Sequence, residues 1–192
     1  VDYFKFQNVA KPKVGDLLIS EPFMPDDNFS RSVVLLTEHN DKGSVGFILN
    51  KTSEFKLDEL IQLKMDNPVN VFRGGPVELD TLHFIHQKND NLNYSSKVSD
   101  NIYWGLDFNE VLALMELDQI EINDFKFFMG YCGWDAGQLE KEISENSWIV
   151  YRGGGVEEIF DTPSDTLWSE LLNDMGTRFK IYSNYPIDPR LN

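Results

Sequence analysis

The stretch Phe125-Lys126-Phe127-Phe128-Met129-Gly130-Tyr131-Cys132-Gly133-Trp134-Asp135-Ala136-Gly137-Gln138-Leu139-Glu140-Lys141-Glu142-Ile143 decides how the rest of the chain is read. Phe125, Phe127, Met129 and Tyr131 alternate with Lys126, Phe128 and Gly130, which is the period of a strand. The glycines that follow predict a tight turn and then a helix, with Leu139 and Ile143 on one apolar stripe. Asp135 is the expected helix cap, since its carboxylate can accept from free N–H groups of the first turn, and Gln138 completes a capping-box-like pair. Glu140, Lys141 and Glu142 are expected to face water.

Composition narrows the function classes. The 192 residues are 41% apolar and 13% aromatic, enough for one packed core, so a single domain over 1–192 is expected, with irregular segments at 1–13 and 184–192. Lys and Arg total 17 against 32 Asp and Glu, a formal charge of −15, which opposes a sequence-independent grip on nucleic acid or on an anionic membrane. A single cysteine, Cys132, cannot form an intrachain disulfide, and no apolar run approaches the roughly eighteen residues of a membrane span. A cytoplasmic location is expected.

Outward from the central stretch, Leu17 to Ser20, Ser32 to Thr37 and Ser44 to Asn50 read as buried strands. The last two are joined by the hairpin chemistry of Glu38 to Gly43. A short amphipathic helix from Leu57 through Leu63 or Lys64, closed before Pro68, a strand at Val69 to Phe72, the turn Arg73-Gly74-Gly75-Pro76 and a strand at Leu82 to His86 follow. Gln87 to Asp100 is polar and reads as an exposed loop, and Asp107 to Leu117 as an amphipathic helix. Trp148 to Arg152 and Val156 to Phe160 flank Gly153-Gly154-Gly155 and predict a hairpin at the sheet margin. A last helix spans Asp165 to Met175, capped by Ser164 and stopped by Gly176.

The ordered set Gly15 to Ser20, Phe29 to Asn40, Gly43 to Lys51, Gly74-Gly75-Pro76-Val77, Leu82 to His86 and Gly130-Tyr131-Cys132-Gly133-Trp134 through Glu140 resembles the bacterial AlgH/YqgE family. The resemblance spans Gly15 to the last helix. It implies an α/β (α+β) fold, a single compact domain with a bulky, partly barrel-like mixed sheet flanked by three or four helices. It also brings a transcriptional-regulator label, without an established molecular activity. Cys132 stands where Ser or Ala is frequent in that family.

Candidate chemistry is sparse. Gly130 to Trp134 imitates a nucleophile elbow, but Trp134 takes the place of its last glycine and no histidine follows downstream to act as base. A small buried thiol is the competing reading of Cys132. His83 and His86 would converge on a metal if helical; on a strand their odd spacing sends them to opposite faces, so no metal site is expected. His39 lies in the hairpin turn, with nothing in the sequence to bring it to either one. Neither glycine cluster carries a phosphate-loop or dinucleotide fingerprint, so no cofactor is expected. Arg31 reads as an anion clamp or an internal ion-pair partner.

The place where a ligand is physically plausible is the expected helix start. Arg31, Gly133, Trp134, Asp135 and Gln138 form the candidate site, for a small carboxylate- or phosphate-bearing ligand, an acidic peptide or another protein partner. In the competing reading Asp135 and Gln138 satisfy the helix start and Trp134 is core. The expected function is a non-enzymatic, ligand- or partner-binding regulatory module. The alternative is a hydrolase or thiol enzyme using Cys132 with a histidine.

Overall fold

A computed structural model describes residues 11–185. Its frame is a ten-stranded sheet, curled into a half-barrel, with strand order β10-β1-β2-β3-β9-β6-β8-β7 and with β5 bonded to β4 and β9. The strands are β1 (Leu17–Ser20), β2 (Val33–Asn40), β3 (Gly43–Ile48), β4 (Thr52–Lys56), β5 (Asn70–Arg73), β6 (Val77–Gln87), β7 (Ser95–Lys97), β8 (Ile102–Gly105), β9 (Phe125–Asp135) and β10 (Trp148–Tyr151). Five α-helices flank them: α1 (Leu57–Ile61), α2 (Phe108–Glu116), α3 (Gln138–Ser144), α4 (Leu167–Asp174) and α5 (Thr177–Ser183). The sheet is mixed because β5 runs parallel to β9 while the other pairs are antiparallel.

β9 is the hub. Its first half pairs with β5 through Phe127 to Met129 and with β6 through Phe125 to Met129, and its second half pairs with β3 through Cys132 to Asp135. Phe127 and Phe128 are fully buried on opposite faces. Each is worth about 1.5–3 kcal/mol of apolar burial. At the point where β3 replaces β5, the Gly74 carbonyl accepts from the Ile48 N–H at 2.8 Å, and the Gly74 N–H donates to the Met129 carbonyl at 2.8 Å. A side chain at Gly75 would come within 2.2 Å of the Tyr131 carbonyl carbon, so the crossing admits no Cβ. Close approach of backbones, rather than phosphate binding, explains the Gly74-Gly75 pair.

Several expectations are corrected. Simple alternation puts Tyr131 beside Phe125, Phe127 and Met129, but Gly130 adopts φ 67° and shifts the face by one residue. Tyr131 therefore packs with Phe128, as a bulge requires. The strand does not end at Gly133 but continues to Asp135, because Gly133, Trp134 and Asp135 bond to β3. The turn lies at Ala136-Gly137, and Gly137, at φ 75°, is the residue that precedes α3. Asp135 therefore does not cap the helix; half of the anticipated box remains, with the Asp135 N–H donating to Gln138 Oε1 at 2.9 Å.

Gly153 to Gly155 do not form a hairpin. They lead into a π-helical turn, Glu157–Asp161, which buries Ile159 against the core. Thr166, not Ser164, precedes α4, and no side chain caps it. Gly176 stops α4, but the chain continues into the unexpected α5. The expected loop from Gln87 to Asp100 contains β7, paired with β8. β4, missed because its five residues are partly exposed, pairs with β5. The irregular segments expected at the termini fall largely on 1–10 and 186–192, outside the described residues.

Candidate functional site

The end of β9 forms one wall of an open cleft of about 410 Å³. Gly133 lies in its floor, Tyr131 and Val77 stand beside it, and Val45 comes from the neighbouring β3. Glu38 and Lys42 from the β2–β3 hairpin form one rim, and Asp135 with Gln138 form the other. Gly133 differs from the glycines of the crossing. An added Cβ there would meet the Tyr131 ring at 3.4 Å and Val77 at 3.8 Å, which are ordinary contacts. Packing does not demand glycine there, and the missing side chain leaves the floor open.

Of the sequence-derived site residues, Gly133, Trp134, Asp135 and Gln138 line this cleft together. Arg31 does not join them. It precedes β2 while the cleft lies at that strand's far end, on the order of 25 Å along an extended chain. Its guanidinium lies 5.0 Å from the centre of the Trp168 ring and donates to the Tyr185 carbonyl. Trp134 offers no stacking face, since it is 6% exposed and packs edge-on against Trp148 with ring centres 6.0 Å apart.

Glu142, expected in solvent, is what holds this wall together. Its Oε2 accepts from Trp134 Nε1 at 2.9 Å and from Trp148 Nε1 at 2.8 Å, and its Oε1 accepts from Gln138 Nε2 at 2.8 Å. Two indoles thus anchor α3 to β9 and β10 through a single carboxylate. The signal in the sequence is faint: the two tryptophans that flank the helix in sequence need acceptors, and Glu142 is one of several nearby carboxylates.

The thiol reading finds no assembled machinery. Cys132 is 1% exposed among Leu18, Val34, Leu36 and Ile48, and its Sγ donates to the Gly74 carbonyl at 3.3 Å. Burial pushes its pKa well above the ordinary thiol value, the reverse of an activated nucleophile. The histidines are engaged elsewhere. His83 packs against Phe47 and Tyr131 and bonds Thr81 at 2.9 Å, whereas His86, on the other face, stacks on Tyr103 and Phe125 and bonds Ser95 at 2.8 Å. Burial lowers the pKa of both. His39 shares a 2.8 Å hydrogen bond with Ser44 and faces Glu140 at 3.6 Å.

The other end of β9 carries a feature the sequence reading passed over. Lys126 is only 7% exposed, with its Nζ donating to the Ile159 carbonyl at 3.0 Å and lying 4.2 Å from the centre of the Phe72 ring. Burial lowers its pKa to about 8. A lysine set among the aromatic residues of Phe125-Lys126-Phe127-Phe128 was the available signal.

These features define a curled α/β half-barrel with a cleft at the end of its central strand. The profile of the AlgH-like family matches residues 17–180, and the chain belongs to that family. It is similar to a UPF0301 protein of Cytophaga hutchinsonii, 41% identical over 179 residues, covering 93% of this chain and 98% of the relative. A UPF0301 protein of Chlorobium limicola is 39% identical, covering 95% and 97%. The AlgH protein from Pseudomonas aeruginosa superposes with a TM-score of 0.71 at 26% identity, covering 94% of this chain and 98% of that one. Protein DIP2367 from Corynebacterium diphtheriae shares the fold, with a TM-score of 0.76 at 19% identity over 92% and 94%. Among the described residues no helix is long and apolar enough to cross a membrane.

Proposed function

We propose that this protein is a non-enzymatic binding module of the cytoplasm that regulates through a partner protein, with the Gly133 cleft receiving an extended segment of that partner. The observation that carries this reading is the open floor at Gly133, a position where packing would accept a side chain. The rim modifies the ligand expected from sequence. Glu38 and Asp135 outnumber Lys42 among the charged residues that line the cleft, so its rim favours a neutral or basic segment over an anion. The chain's charge of −15 likewise supports a regulatory role exerted without direct contact to nucleic acid.

An NMR titration of the ¹⁵N-labelled chain with short lysine-bearing and glutamate-bearing peptides tests this. The basic peptides are expected to shift the amides of Val45, Tyr131, Gly133 and Gln138, and Gly133→Leu is expected to remove those shifts while the spectrum stays dispersed. Equal response to acidic peptides, or no response at millimolar concentration, would reject the cleft as the docking place.

A further inference from the structure

At the start of β9, Lys126 lines a second cavity of about 480 Å³, bounded by Val69, Asn70 and Phe72 on one side and by Ile122, Asn123 and Phe160 on the other. In a chain with a formal charge of −15, the residues lining this hollow include no carboxylate, and Lys126 is their one ionisable group. Its ammonium has three donors. Among the described residues its hydrogen-bond acceptor is the Ile159 carbonyl, and the Phe72 ring provides a further, weaker contact. Among the described residues no anionic side chain pairs with Lys126, an arrangement that disfavours the charged form unless an anion completes it.

We propose that this cavity is a binding site for a small monocarboxylate with a flat apolar body, its carboxylate paired with Lys126 and its body against Phe72 and Phe160. The charge count sets the valence, since one buried ammonium balances one negative charge and a dianion would leave the excess desolvated. The walls set the shape. Phe72 and Phe160, with Ile122 and Val69, supply apolar surface, and the exposed Asn70 and Asn123 add side-chain amides to the lining. Asn70 Oδ1 already accepts from Lys56 Nζ, which leaves the Nδ2 group of Asn70 to act as the donor. This site is separate from the Gly133 cleft, and no lining residue is shared between them.

Benzoate is the probe, with benzamide as its neutral counterpart and inorganic phosphate as a compact anion of higher charge. In the full ¹⁵N-labelled chain at constant ionic strength, benzoate is expected to shift the amides of Val69 to Phe72 and Ile122 to Lys126. Benzamide and phosphate are expected to leave them in place. Lys126→Met keeps the apolar stem and should weaken benzoate at least roughly tenfold, the scale of one charge-assisted hydrogen bond. A second readout needs no variant: benzoate should slow acylation of Lys126 by an amine-selective reagent at least about threefold in the native chain, followed by mass spectrometry of the peptides. Equal binding of benzamide, displacement of benzoate by phosphate, unslowed acylation of Lys126, or unmoved amides at about 20 mM benzoate would each overturn the site.

Discussion

The two ends of β9 are built from the same alternating strand and do opposite things. At the Phe125 end, neighbours on both sides bury the strand, and a lysine is held in apolar surroundings beside Phe72. At the Asp135 end the ladder continues on β3, but the cleft face is open, its floor is a glycine, and its rim carries Glu38 and Asp135. What a strand can bind is thus decided by what covers it and which charges remain, more than by its own pattern. The Gly74-Gly75 crossing separates the two regimes, since there one strand partner is exchanged for another.

The largest expected effect breaks that crossing. Gly75→Ala forces a Cβ into the Tyr131 backbone and should cost more than about 3 kcal/mol or abolish folding, measured by urea denaturation. If the loss is under about 1 kcal/mol, the two ends are not coupled through this contact. Next comes the wall of the cleft. Glu142→Leu strands two buried indole N–H groups and should destabilise by about 2–4 kcal/mol, whereas Glu142→Gln, which keeps an acceptor, should lose less than half of that. Equal losses would mean that packing rather than acceptance matters at this position.

The Phe125 end is sharpened by pH. Lys126 has its folded pKa lowered to about 8, while the unfolded chain keeps the ordinary value near 10.4. The unfolded state therefore binds more protons between those values, so this group's penalty is full below pH 8 and is relieved as pH rises to about 10.4. The difference in unfolding free energy between wild type and Lys126→Met should shift by roughly 3 kcal/mol across that window, in favour of wild type at the alkaline end. A flat difference would show that Lys126 is solvated. The smallest effect belongs to Gly133→Ala, expected to change stability by less than about 0.5 kcal/mol. A loss comparable to that of Gly75→Ala would remove the argument that the floor is open by choice of residue rather than by constraint.

Much of the sheet was legible because its strands repeat simple local signals. Val33 to Thr37 and Ser44 to Ile48 carry β-branched runs and an obvious turn, and both strands lie where that reading puts them. The helix at Phe108 to Glu116 was equally plain, with Asp107 accepting from the Asn109 N–H at 2.9 Å. The errors arise where a long-range contact overrules local pattern. Gly153 to Gly155 look like a hairpin turn, yet the following segment winds into a π-helical turn that buries Ile159. Asp135 looks like a cap, yet pairing with Gly43 keeps it in the strand. Of the candidate site, the Gly133 to Gln138 segment is contiguous and was readable, whereas the partnership of Glu142 with two tryptophans is set by packing between elements. Arg31 was placed by charge alone, and charge does not give position.

The most direct test of the account, that opposite ends of one strand serve different ligands, is a single NMR sample of the native chain titrated first with benzoate and then with a lysine-bearing peptide. Two non-overlapping sets of amide shifts are predicted, around Val69 to Phe72 with Ile122 to Lys126 for benzoate, and around Val45, Tyr131, Gly133 and Gln138 for the peptide, neither ligand displacing the other. Shifts from both ligands converging on one end of β9, or displacement of benzoate by the peptide, would contradict it.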